Sequence, residues 1–86
     1  MVVTLDRKWG NAIKLVDFSD LSKLPVISES QKGVEVKFDD SDLRDFLLDI
    51  NSSISLIGMD YSGGVTVNST GEDLYAIYDE IKHQIK

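Results

Sequence analysis

Between residues 54 and 85 the chain carries signals that leave little freedom in how it can fold. Residues 54–61 (Ile-Ser-Leu-Ile-Gly-Met-Asp-Tyr) form an apolar run with the composition of a strand, followed by Ser62-Gly63-Gly64 as a turn and Val65-Thr66-Val67-Asn68 as the returning strand. A two-residue loop at Gly63-Gly64 would set Asp60 opposite Val67. A three-residue loop, Ser62-Gly63-Gly64, instead pairs Tyr61 with Val65 and Met59 with Val67. It collects Ile57, Met59, Tyr61, Val65 and Val67 on one inward face, because cross-strand partners share a face. The second register is the expectation, with Gly64 in the left-handed conformation such loops require. Ser69-Thr70-Gly71-Glu72 has the form of a capping box. Leu74, Ile77, Tyr78, Ile81 and Ile85 then make one stripe of a C-terminal helix, with Lys82, His83 and Lys86 in its last turn.

The upstream half adds a sheet and a second helix. Val2 to Leu5 reads as the first strand. A polar turn over 6–11 holds the only tryptophan, Trp9, and 12–16 reads as a second strand with Ile13 and Leu15 on one face. Asp17 or Ser19 caps a short helical turn carrying Phe18, Leu21 and Leu24, which Pro25 ends. Val26-Ile27 is expected at a sheet edge, where proline does least harm, and 28–32 as a mobile loop. Residues 33–38 alternate, with Val34, Val36 and Phe38 inward, as in a half-exposed antiparallel sheet. Asp39, Asp40 or Ser41 caps a helix whose stripe is Leu43, Phe46, Leu47 and Ile50 and which ends at Asn51-Ser52-Ser53. The expected fold is a single α+β domain over 1–86, with an antiparallel sheet of about five strands and two main helices packed on one face.

A chain of 86 residues supports one core and buries only about 60–65% of its unfolded surface, so a groove, an edge or a flat face is the natural site. Cysteine is absent, which excludes disulfides, thiolate metal sites and cysteine nucleophiles. The N-terminal residues lack the pattern of a signal peptide, and no apolar run reaches the length of a membrane span. The expected location is the cytoplasm. With 15 acidic and 9 basic side chains the net charge is −6, which opposes nucleic acid and anionic membrane as partners and suits a basic protein surface.

No catalytic residue, metal site or cofactor site is expected. His83 is the only histidine, placed away from the apolar stripe with no serine or carboxylate fixed beside it by spacing. The acidic cluster Asp39, Asp40, Asp42, Asp45, Asp49 fails as a calcium loop, because Arg44 stands where an oxygen ligand belongs and Asn51 where the bidentate glutamate belongs. Asp42, Asp45 and Asp49 instead form a stripe along one flank of a helix, with Leu48 beside them as an exposed apolar anchor. Trp9, with Arg7 and Lys8, is the other candidate contact, since Trp and Arg are enriched at binding hot spots. The partner-binding residues expected are therefore Trp9, Arg7, Asp42, Asp45, Leu48 and Asp49. The expected function is a small acidic, non-enzymatic protein-binding module of a prokaryote or phage, such as a toxin-immunity or anti-defence inhibitor that docks on a basic partner. The alternative is a homodimer or complex subunit that pairs through an open sheet edge.

Overall fold

A computed structural model describes residues 1–18 and 24–85 of this chain. In order it contains β1 (Val2–Leu5), α1 (Gly10–Lys14), β2 (Val26–Ser30), β3 (Gly33–Lys37), α2 (Leu43–Ile57), β4 (Met59–Asp60), β5 (Thr66–Val67) and α3 (Ser69–Gln84). Single 3-10 turns at Arg7–Trp9 and Asp40–Asp42 lead into α1 and α2. The class is α+β with antiparallel pairing, as expected. The strands divide into a three-stranded sheet, ordered β1-β3-β2, and a separate two-stranded hairpin β4-β5, rather than one sheet of five. Three helices, not two, stand among the described residues.

The alternating run is the central strand. Val34 and Val36 of β3 are buried, and the register sets Val36 between Val3 and Ile27. β2 pairs with β3 alone, so Val26 and Ile27 do lie at an edge. Residues 28–30 continue that strand instead of opening a mobile loop. The Ser30 hydroxyl accepts from the Lys32 amide at 3.2 Å and tightens the turn into β3. Polarity here marks a short turn, whose serine supplies the hydrogen bond itself.

Parts of two expected strands, residues 12–14 and 54–57, are helical. Period two over 12–16 requires Ile13 and Leu15 to share an inward face, yet Leu15 is exposed while Ala12, Ile13 and Val16 are buried. With the half-buried Trp9 these occupy i, i+3, i+4 and i+7, a helical stripe. Asp6 caps the entry, its Oδ1 accepting from the Lys8 amide at 3.0 Å. In the same way α2 does not stop at Asn51-Ser52-Ser53 but runs to Ile57. Ile54 continues the stripe of Phe46 and Ile50, and Ser53 is buried with its Oγ accepting from the Asp17 amide at 3.0 Å. The polar triplet straddles the gap between apolar positions and leaves the helix unbroken.

The C-terminal helix carries the stripe foreseen for it: Leu74, Ile77 and Ile81 are completely buried and Tyr78 packs against them. Its cap is Asn68, one residue earlier than the expected Ser69. The Asn68 Oδ1 accepts from the Gly71 amide at 2.9 Å. α3 lies against α2 and reaches β1 and α1, so the core sits between the helices and one face of the three-stranded sheet. Phe46 ties the layers together, stacking on Phe38 with ring centroids 4.9 Å apart and on Phe18 at 5.8 Å. Each such buried apolar side chain contributes roughly 1.5–3 kcal/mol relative to exposure. The helical turn expected to carry Leu21 lies outside the described residues.

The β4-β5 hairpin keeps the expected register, with Met59 opposite Val67, and Gly64 has a positive φ of 115°. Its expected inward face is not inward. Ile57, Tyr61, Val65 and Val67 are exposed and Met59 is only half-buried. Because α2 takes up residues 54–57, the remaining strand is too short to join the main sheet. Pairing ends at Asp60 and Thr66, and every residue from 60 to 67 is exposed. The hairpin is an arm between α2 and α3.

Candidate functional site

Packing of α2 through Phe46, Ile50 and Ile54 turns its opposite flank outward. Arg44, Asp45 and Leu48 are exposed there, and Asp42 and Asp49 are half-buried. Leu48 keeps 52% of its surface in solvent. The structure thus brings Asp42, Asp45, Leu48 and Asp49 together on one helical run. Each of the three aspartates also has an interaction partner within the fold. Arg44, four residues before Leu48, shares that flank and partly offsets its charge.

Arg7 and Trp9 occupy another element. Their 3-10 turn packs against α1, α3 and β3. Trp9 rests against the core with the Lys8 ammonium 5.3 Å from its ring centre, and one Arg7 guanidinium nitrogen donates to the Ser30 carbonyl at 2.8 Å. Both side chains therefore have partners inside the fold. His83 is exposed in the last turn of α3.

Sequence reasoning missed two surfaces. The first is a groove of about 710 Å³ lined by Met1, Leu24, Val26, Lys37, Phe38, Asp39, Ser41 and Asp42. It begins on the sheet face that the helices leave bare, where the register aligns Val2, Lys37 and Val26 in one row. Val26 is exposed despite its strand setting, and Phe38 forms an apolar floor beside Asp39 and Asp42. Only the strand order reveals it. The groove, whose lining mixes Val26 and Phe38 with Lys37, Asp39 and Ser41, meets the acidic flank of α2 at Asp42.

The second surface is the arm. Leu56 and Tyr61 keep 67% and 60% of their surface in solvent, Val65 keeps 70%, and Ile57 and Val67 are also exposed. The Tyr61 hydroxyl donates to the Ser55 carbonyl at 2.9 Å, which lays the ring back along the end of α2. At the tip, the Asp60 carboxylate accepts from the Ser62 amide at 3.0 Å and the Ser62 hydroxyl at 2.8 Å. The amide first, and the hydroxyl second, hold the Asp60 carboxyl below its ordinary range. A depressed folded-state pKa stabilises the tip above the unfolded value and loses that contribution as pH falls through the folded one. Ser62→Ala removes the hydroxyl and keeps the amide, so the Asp60 pKa should rise part of the way to the ordinary carboxylate value. A carboxyl-carbon NMR titration reads this directly, and an unchanged midpoint would show that the hydroxyl contributes nothing.

At the outer edge of β1, one main-chain position is bonded within the fold. Gln84 meets it at Thr4, accepting from the Thr4 amide at 3.1 Å and donating to its carbonyl at 2.6 Å. Among the described residues no group of three or more acidic or histidine side chains is gathered to hold a metal ion, and no helix is long and apolar enough to cross a membrane. Comparison of the chain with protein-family models, with curated proteins and with solved structures finds no match.

Proposed function

We propose that this protein is a non-enzymatic protein-binding module that docks on a basic partner surface through the outer flank of α2. The observation that carries this reading is the exposure of Leu48 on the same flank as Asp42, Asp45 and Asp49, continuous at Asp42 with a groove of mixed polar and apolar lining that includes Val26 and Phe38. Specific interfaces combine a desolvated apolar anchor with a polar rim, and this flank has both parts. The net charge of −6 steers the chain towards a basic surface. A row of carboxylates can occupy a site built for phosphates, so an inhibitor of a nucleic-acid enzyme, of the toxin-immunity or phage anti-defence kind, is the narrower reading.

The test is affinity capture from the native host, followed by titration of the partner recovered. Leu48→Ala and the combined Asp42→Asn, Asp45→Asn, Asp49→Asn variant should each weaken binding at least about tenfold, with folding checked by circular dichroism. The neutralised variant should also lose most of the salt dependence of association. Capture of no specific partner, or an affinity indifferent to both changes, would overturn the proposal.

A further inference from the structure

We infer that the β4-β5 arm is a self-association surface through which two copies of the chain meet about a two-fold axis. The arm and the last turn of α2 at its base expose Leu56, Ile57, Tyr61, Val65 and Val67 within a short stretch of chain. Its charge distribution selects the partner. Although 28% of the chain is charged, Asp60 is the only charged residue between Asp49 and Glu72, and its carboxylate is engaged by Ser62. A basic partner would find nothing to pair with here.

A second copy would find a largely apolar surface matching its own, the self-complementarity that a two-fold contact requires. Two chains of charge −6 repel one another across the rest of their surfaces, so this stretch, whose one charge is the Asp60 carboxylate held by Ser62, is where they approach at least cost. The hairpin also gains from a partner. A two-stranded ribbon with no cover is marginal in water, and both strands of this one leave their outer edges unpaired. Complete burial of the surface these five side chains still expose would remove roughly 500 Å² per copy, or about the 1,000 Å² in total that a specific interface needs. This surface shares no residue with the acidic flank, since Leu56 stands two turns beyond Asp49 along α2, so either one can fail without the other.

Sedimentation equilibrium of the purified chain, up to roughly 200 µM, decides the matter, since an interface of this size with micromolar affinity is then largely dimeric. The wild type should dimerise, and more strongly as salt screens the repulsion between copies. Leu56→Asp and Val65→Asp each place a charge at an exposed position and should weaken dimerisation at least tenfold while leaving the circular dichroism melt of the monomer intact. Leu15→Asp changes an equally exposed leucine on a different element and should leave the dimer unaltered. A wild type that stays monomeric over this range overturns the proposal. So does a dimer that persists in both arm variants, or one that Leu15→Asp dissociates equally well.

Discussion

Gly71→Ala is expected to lower the stability of the fold by about 3 kcal/mol, although alanine replaces glycine inside a helix. Helix propensity alone would favour alanine by about 1 kcal/mol, so the sign of the effect is itself diagnostic. A Cβ at position 71 would run into the carbonyl oxygen of Gly58 and lie 2.8 Å from Cγ1 of Val67 and 2.9 Å from the Gly58 carbonyl carbon. Two of these three atoms are backbone, fixed at the end of α2, and a flexible side chain cannot relieve them by rotating. Contact is reciprocal: a Cβ on Gly58 would stand 2.6 Å from the Gly71 Cα and 2.7 Å from the Ile54 carbonyl oxygen. Neither glycine has a positive φ, so the requirement is close approach of two backbones. Urea or thermal unfolding measures the loss, which for a domain of this size corresponds to a fall in Tm of roughly 12–24 °C. Gly63→Ala is the control, because a Cβ there meets nothing within 4 Å. A Gly71→Ala variant as stable as Gly63→Ala would mean that α2 and α3 do not cross this closely.

That crossing explains which parts of the fold were legible in the sequence. Strand β3 and helix α3 were readable because their periods are unambiguous: Val34 and Val36 alternate with Glu35 and Lys37, and Leu74, Ile77 and Ile81 repeat at helical spacing. The errors at 12–16 and 54–57 share one physical cause. A short apolar run fits either period, and the arbiter is the residues further along the same stripe. Trp9 at the start of one run, and Ile50 before the other, supply the missing helical positions, and Asp6 offers the cap. Once 54–57 belong to α2, the hairpin can no longer reach the main sheet, so one misplaced helix end also produced the misplaced inward face. The acidic flank followed from helical spacing alone. The groove at Val26 and Phe38 did not, because it depends on which strands are neighbours, and the arm was hidden by the very hydrophobicity that marked it as core.

Asn68→Ala should cost about 2 kcal/mol, because this one side chain joins the end of α2 to the start of α3. Its Oδ1 caps α3 by accepting from the Gly71 amide at 2.9 Å, and its Nδ2 donates to the Ile57 carbonyl at 3.0 Å, one of the last acceptors of α2. The main-chain amide of Asn68 donates to the Gly58 carbonyl at 2.9 Å and survives the substitution. Serine and aspartate separate the two side-chain roles. Asn68→Ser keeps a cap acceptor but cannot reach Ile57, and should recover about half of the loss. Asn68→Asp keeps the acceptor with a charge that suits the start of α3, yet it turns an oxygen towards the carbonyl end of α2, where negative charge is unfavourable. Aspartate should therefore do no better than serine at neutral pH, and should improve as acid protonates it and restores a donor. The two bonds also fix the base of the arm, so losing them should speed amide exchange at Asp60 and Thr66, the paired residues furthest from the helices, by about as much as global stability falls. If exchange there accelerates well beyond that, the arm opens independently of the core, with Asn68 as its hinge pin. If it accelerates less, the arm's own pairing at Met59 and Val67 holds without the staple, and the rigid crossing at Gly58 and Gly71 is what positions it.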